Sequence, residues 1–378
     1  MRVWTYDSFT NIVGGGNPAG VVILTYEHLQ ADECLHKNEC LQVNEELHET
    51  ARELSDAEML EIARRVGFSE TAFVSKSDKA DFKVRFFTPS DEVDLCGHAT
   101  IAVFSHLFGT GKIGEGRFTQ ETKAGILGIN IDHSGEVFME QAVPVFSDII
   151  SKEEIADSLG IFVNDMPENL PVEIVSTGLR DIIIPVKSLD ILRGIEPDFL
   201  KVKEISRKYQ AVGYHIFTTE VENEIANANE NATGNMSANA NENATGNMSA
   251  NVNESANKNA STNGYANEIK KRNIIAECRN LAPLYDIPEE AATGTANGAL
   301  TGYLYKHSEL LDEKKRLIPN EIYTYKQGAT MGRPSEIKAI VEVFEGEIVD
   351  NKIMPGSKAK IKRIKIGGRA VLSGIMDV

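Results

Sequence analysis

Tryptophan occurs once and cysteine four times in 378 residues, and Lys plus Arg number 39 against 56 Asp plus Glu. Each scarcity excludes something. Cys34, Cys40, Cys96 and Cys278 follow no Cys-x-x-Cys or zinc-ribbon spacing and are too few to staple a chain of this size, so reduced thiols are expected. A formal charge of -17 argues against a phosphate-tracking surface, which needs a clustered excess of cations, and nucleic acid is not an expected partner. No run near roughly 18 apolar residues occurs. The start, Met1-Arg2-Val3-Trp4, carries no basic flank before an apolar core and no small-residue cleavage site, so no membrane partner and a cytoplasmic location are expected. The phosphate and zinc signatures G-x-G-x-x-G, G-x-x-x-x-G-K-S/T and H-E-x-x-H are also missing, and Gly14-Gly15-Gly16 lacks a following Lys-Ser/Thr. Neither an organic cofactor nor a catalytic metal is implied.

What is present, 42% hydrophobic and 25% charged residues, suits one large or two ordinary globular domains. From about 221 to 264 the chain turns to Asn, Ala, Ser, Thr and Gly, and the twelve residues Ala228 to Asn239 recur unchanged at Ala240 to Asn251. Such a stretch cannot build a core and reads as a disordered surface insertion. Residues 27–53, charged and irregular, read as a second insertion. Short strand-like runs such as Val84-Arg85-Phe86-Phe87 and Asp181-Ile182-Ile183-Ile184 dominate. One helix is well signalled: Ser55 and Glu58 form a capping box, Leu54 and Met59 a staple, and Met59, Ile62, Ala63 and Val66 an apolar stripe ending at Gly67.

An internal echo carries functional meaning. Cys96-Gly97-His98-Ala99 leads into Thr100-Ile101-Ala102-Val103, and Thr293-Gly294-Thr295-Ala296 into Asn297-Gly298-Ala299-Leu300, each after a proline and an acidic approach. Two such units suggest two similar halves, each presenting a helix start to a shared cleft. A glycine there admits a ligand close to the backbone, and the free N–H groups of a first helical turn favour an anion such as a carboxylate. Either unit alone reads equally as an ordinary cap. His98 could exchange a proton near neutral pH. Glu70, set among apolar neighbours, becomes a usable acid or base if desolvation raises its pKa; the alternative is a solvated strand-edge glutamate. Cys96 sits where a helix start lowers a thiol pKa, but its echo partner is Thr293, so no symmetrical thiol pair can be assembled and packing is its expected role.

Together these residues resemble the PhzF-like phenazine-biosynthesis family, related in fold to diaminopimelate epimerase. Gly16-Asn17-Pro18-Ala19-Gly20, Ser69-Glu70-Thr71-Ala72-Phe73, Asp94-Leu95-Cys96-Gly97-His98-Ala99-Thr100, Ser176-Thr177-Gly178-Leu179, Ala292-Thr293-Gly294-Thr295-Ala296 and Gln327-Gly328 with Met331-Gly332-Arg333-Pro334-Ser335 occur in family order. The resemblance implies an α+β fold, an α/β roll of two pseudo-symmetric halves, each a curved, mainly antiparallel sheet around a central helix. The halves are expected at 1–121 and 122–378, with the last strand free to return to the first half. It implies a cofactor-independent isomerase that moves a proton between carbons of a small carboxylated substrate. Glu70 would be the acid/base, His98 and Glu290 would assist, and Gly97, Gly294 and Thr295 would hold the substrate. Glu290 and Thr295 stand where the family pattern has aspartate and serine, and Ala291 where it has proline. A homodimer is a further implication. The competing expectations are an amino-acid epimerase or racemase using the same cleft, and a catalytically inactive small-carboxylate-binding protein.

Overall fold

Residues 1–24, 54–221, 274–344, 348–349, 352–353 and 359–378 are described by a computed structural model. The insertion expected at 27–53, with Cys34 and Cys40, and all but Val221 of that expected at 221–264 lie outside the described residues. The chain begins with β1 (Arg2–Ser8), β2 (Asn17–Ile23), α1 (Asp56–Val66), β3 (Glu70–Ser75), β4 (Phe82–Phe87), β5 (Glu92–Val93), α2 (Gly97–Gly109), β6 (Gly116–Thr122), β7 (Gly125–Ile131) and β8 (Val137–Gln141). It continues with β9 (Val145–Ile150), α3 (Lys152–Leu159), β10 (Val172–Ser176), β11 (Arg180–Pro185), α4 (Leu189–Gly194), α5 (Phe199–Lys208), β12 (Gly213–Thr218), β13 (Ile274–Ala282), β14 (Ile287–Glu290) and α6 (Gly294–Lys306). It closes with β15 (Tyr323–Gln327), β16 (Ser335–Val343), a short ribbon of β17 (Ile348–Val349) and β18 (Lys352–Ile353), then β19 (Ile361–Gly368) and β20 (Ala370–Asp377).

Local chemistry sets the first helix as read from sequence. Ser55 accepts from the Glu58 N–H, Glu58 accepts in return from the Ser55 N–H, and Gly67 ends the helix in the left-handed region at φ 73°. Met59, Ile62, Ala63 and Val66 form its buried face, packed with Leu54 against Val22 and Phe73.

Pairing runs β20-β1-β2-β3-β4-β6-β7-β8 in the first half and β19-β16-β15-β13-β12-β11-β10-β9 in the second, joined by antiparallel β8 and β19. The sheet is mainly antiparallel, and the parallel pairs occupy matching places. β2 and β3 correspond to β11 and β12, and β4 and β6 to β13 and β15. The halves exchange strands: β9, following β8, pairs with β10 in the second half, and β20, following β19, pairs with β1 in the first. The first-half sheet thus continues through β7 and β8, beyond residue 121.

Each curved sheet wraps one helix. α2 and α6 are apolar on nearly every side because sheet surrounds them, and Ile101, Phe104, Leu107, Leu300, Tyr303 and Leu304 are fully buried there. Small residues let the sheet close in; a Cβ on Gly302 would meet Pro144 side-chain atoms at 2.8 Å. α3, α4 and α5 cover the outer face of β10, β11 and β12 with a second cluster that includes Ile155, Leu159, Leu192 and Val202. Among the described residues no helix is long and apolar enough to cross a membrane.

An Ile101→Ala substitution is expected to destabilise by about 2–5 kcal/mol, the range for emptying a packed site, whereas Leu200→Ala, at an exposed position, should stay within about 0.5 kcal/mol. Urea unfolding of both variants checks the assignment, and equal effects would contradict it.

Candidate active site

The two central helices begin side by side at the join between the halves. α2 starts after Cys96 and α6 after Thr293, and neither N-cap side chain makes a capping hydrogen bond. The Ala99 N–H lies against the Cys96 sulfur, and the other first-turn N–H groups have no capping side chain. Gly97 and Gly294 open these turns, and Thr295 follows in α6, its carbonyl accepting from Thr177 Oγ1 at 3.1 Å.

Glu70 is the first residue of β3, on the face that Ala72 and Val74 turn toward α2. His98 Nε2 lies 3.2 Å from Glu70 Oε2 and 3.3 Å from Ser69 Oγ. Beyond the His98 contact, that carboxylate oxygen is buried and has no hydrogen-bond partner among the described residues. Cys96 Sγ is 3.3 Å from His98 Nδ1. Asn17 Nδ2 is 3.3 Å from the same Nδ1 and donates to Glu290 Oε1 at 3.2 Å and to the Ala292 carbonyl at 3.0 Å. Thr293 Oγ1 donates to Glu290 Oε2 at 2.6 Å, and Gln327 Nε2 donates to Thr293 Oγ1 at 3.2 Å. A continuous polar line thus runs from Glu70 through His98, Asn17 and Glu290 to Thr293 and Gln327, crossing from one half to the other. It borders a cavity of about 280 Å³ whose lining includes Asn17, Ser69, Glu289, Glu290 and Arg333. Arg333 is already committed, donating to the carbonyls of Gly15 and Gly16 and to Asp7 Oδ1.

Two expectations about charge are overturned. Burial favours the neutral form of Glu70, but the positive charge of His98 and hydrogen bonds from His98, Ser69 and Cys96 outweigh it, so its pKa is lowered rather than raised. At Cys96 burial and the nearby Glu70 charge override the helix start, and the thiol is pushed up to about 11. Burial opposes charging His98, and Cys96 and Glu70 together overcome it. With the thiol protonated at neutral pH, Glu70 is the neighbour that exerts this pull. Glu290 is raised, first by burial and then by the charge of Glu70, against His98 and the donors Thr293 and Asn17.

Glu70, Cys96 and His98 also offer ligand-type atoms within 4.8 Å of one another, the one such grouping among the described residues. Hydrogen bonding accounts for their convergence: His98 takes contacts from both of the others, and Ser69 and Asn17 complete the ring.

Of the six residues singled out from sequence, Glu290 lines the cavity, Glu70 and His98 connect to it through Asn17, and Gly97, Gly294 and Thr295 stand in the first turns of α2 and α6. Sequence reasoning passed over Asn17, Ser69 and Gln327 as site residues, although each stood in a quoted motif. It also passed over Asp181, whose signal was a carboxylate opening an otherwise apolar strand. Asp181 begins the inward-facing part of β11, is 2% exposed, and its Oδ2 has no hydrogen-bond partner among the described residues. Burial, then the charge of Glu290, pushes it up to about 8.

The family model for PhzC-PhzF, phenazine biosynthesis-like protein, matches residues 6–229 and 228–374. The chain belongs to this PhzF family. Over 224 residues it is 36% identical to the uncharacterized isomerase YfhB of Bacillus subtilis, covering 58% of this chain and 68% of that one. Over 362 residues it is 29% identical to an uncharacterized isomerase of Clostridium acetobutylicum, covering 93% of each. A Bacillus anthracis PhzF-family crystal structure superposes with a TM-score of 0.68 at 27% identity, covering 100% of this chain and 98% of that one. More distant are the trans-2,3-dihydro-3-hydroxyanthranilate isomerase of Pseudomonas fluorescens, 24% identical over 86% of this chain and 89% of that one, and a probable proline racemase from Agrobacterium radiobacter. The racemase, with a TM-score of 0.50 at 12% identity over 100% of this chain and 92% of that one, shares the fold alone. PhzF-family membership thus agrees with the roll of two halves built above.

The pH dependence of stability tests the buried Asp181. Its folded pKa of about 8 exceeds the ordinary 3.8, so its contribution is fully present below about pH 4 and is lost as pH rises through about 8. Asp181→Asn, which mimics the neutral acid, should gain stability relative to the unsubstituted protein between pH 5 and pH 8. Denaturant unfolding at the two pH values measures this, and a difference independent of pH would count against it.

Proposed function

We propose that the chain is a cofactor-independent isomerase that moves a proton between carbons of a small carboxylated substrate, with Glu70 as the base that takes the proton and the acid that returns it. The observation that carries this reading is an asymmetry between the halves. Ala19 on β2 is paired with Glu70 on β3, and the corresponding pair in the second half is Asp181 on β11 with Gly213 on β12. Gly213 has no room for a side chain, since a Cβ there would meet the Leu281 carbonyl oxygen at 1.8 Å. Asp181, one strand over, is neutral at pH 7 because its pKa is pushed up to about 8. Cys96, a thiol, likewise has Thr293 as its counterpart at the N-cap of the second central helix. A racemase that works from two opposed bases finds no second carboxylate at the position that mirrors Glu70, whereas a proton shift along one face of a substrate needs only one base.

The uncapped first turns of α2 and α6 would take the substrate carboxylate and the charge that develops on an enolate-like intermediate, with Gly97, Gly294 and Thr295 supplying backbone N–H groups. His98 and Glu290 orient the reacting groups. Relatives named as isomerases, one of them acting on trans-2,3-dihydro-3-hydroxyanthranilate, support the reaction class. Glu290 is one methylene longer than the family aspartate, and a displacement of about 1 Å can change a rate about 100-fold. The substrate therefore has to be sought in a panel rather than assumed to be the namesake.

Proton NMR of the protein with a panel of small hydroxy and amino acids, including that dihydroanthranilate, should show one substrate converted to a positional isomer. Glu70→Gln should lower turnover by at least about 1,000-fold while ligand shifts of binding persist. Full activity in Glu70→Gln would sink the assignment, and binding without conversion by the unsubstituted protein would favour a binding protein that has lost its chemistry.

A further inference from the structure

Gln327 ends β15, is 1% exposed, and reaches the start of α6. Two backbone carbonyls, which only accept, fix the directions of the hydrogen bonds around it. Asn297 Nδ2 is 2.9 Å from the Thr293 carbonyl, so a nitrogen stands there, and it donates to Gln327 Oε1 at 2.8 Å. Gln327 Nε2 is 2.8 Å from the Glu290 carbonyl, so it too is a nitrogen, and its second hydrogen goes to Thr293 Oγ1 at 3.2 Å. Gln327 Oε1 also accepts from the Thr293 N–H at 3.3 Å. Because Thr293 Oγ1 is an acceptor toward Gln327, its one proton is left for Glu290 Oε2, 2.6 Å away. Thr293 is the N-cap of α6, where a threonine oxygen ordinarily accepts from an N–H of the first turn. Here it makes no such bond and is turned to Gln327 and Glu290 instead.

We propose that Gln327 is a positioning residue of the candidate site: by donating to Thr293 Oγ1 it commits the threonine hydroxyl as a donor to Glu290. The inference rests on the reading that Glu290 orients the reacting groups. Glu290 then has one donor on each oxygen, Thr293 on Oε2 and Asn17 on Oε1 at 3.2 Å, and no other hydrogen bond reaches its carboxylate among the described residues. Since Glu290 lines the cavity, its remaining acceptor places are left to the molecule that occupies it. Without Gln327 the Thr293 side chain is released to the ordinary capping position, which competes with the bond to Glu290. The charged and titratable groups acting on Glu290 are His98 of α2, Glu70 of β3 and Asp181 of β11. Its neighbour Glu289 is turned to Arg279, and Arg333 of the cavity wall to Asp7.

The test follows the Glu290 carboxyl by carbon-13 NMR in protein carrying labelled glutamate, its signal assigned by its loss in Glu290→Gln. Thr293→Val, which removes the donor itself, should make Glu290 at least about tenfold easier to protonate, the effect of one hydrogen bond to a charged group. Gln327→Met, of similar length but without a donor, should move the titration the same way by at least about threefold. The double variant separates positioning from bracing. If Gln327 acts through the hydroxyl, Gln327→Met adds nothing to Thr293→Val; if it only braces the backbone at the Glu290 carbonyl, the two shifts add. Thr293→Ser, which keeps the hydroxyl, should retain the unsubstituted titration. Neutron diffraction of the unsubstituted protein, which needs no variant, should place the Thr293 hydroxyl deuteron toward Glu290 and a deuteron pair on Gln327 Nε2. A hydroxyl deuteron directed elsewhere overturns the proposal, as does an unmoved Glu290 titration in folded Gln327→Met or additivity in the double variant. None of these measurements involves turnover, so they can fail while Glu70→Gln behaves as expected, and the reverse.

Discussion

Keeping a carboxylate ionised inside a protein is the constraint that organises this site. Removing such a group from water costs several kcal/mol unless fixed donors replace the water. Glu70 is buried yet held below its ordinary pKa, and the replacements are specific: His98, Ser69 and Cys96. They come from two local devices. Ser69 precedes Glu70 at the entry to β3, while Cys96 and His98 flank the glycine that begins α2. The sheet that wraps α2 brings the strand end and the helix start together, so the roll is the means by which the charge is supported.

The second half repeats that framework and withholds the chemistry. Its helix start, its parallel strand pair and its short hairpin before the helix all have counterparts in the first half. Where the first half has a carboxylate and a thiol, however, the second has Gly213 and Thr293. What the second half contributes is Glu290, tied across the join by Asn17 and Thr293. Reciprocal exchange of β9 and β20 makes the two halves mutually dependent, because each sheet is completed by a strand that follows the other half's last strand.

Legibility in the sequence followed the range of the interactions. The cap, stripe and terminating glycine of α1 lie within thirteen residues and were readable from Ser55 to Gly67. The echo at Gly97 and Gly294 pointed to two helix starts because each is a local pattern. The strand exchange was only partly legible, since pairing of Ser8 with Ala370 or of Ile150 with Val172 leaves no local trace. The direction of the Glu70 shift was misread for the same reason. Apolar neighbours in sequence implied desolvation, whereas the deciding donors Cys96 and His98 arrive from another element. Asn17 was visible as part of a motif, but its partners lie 81 and 273 residues away, and nothing in the motif names them.

The central claim is that one buried carboxylate both removes and restores the proton. The most direct measurement uses the substrate found in the panel, carrying deuterium at the carbon that loses its proton, converted in ordinary water and sampled at low conversion by mass spectrometry. A single shuttling Glu70, its side chain only 16% exposed, predicts that a substantial part of the deuterium appears at the new carbon of the product. Product carrying hydrogen from solvent at that carbon in every turnover would contradict the account and require a second, separately exchanging acid.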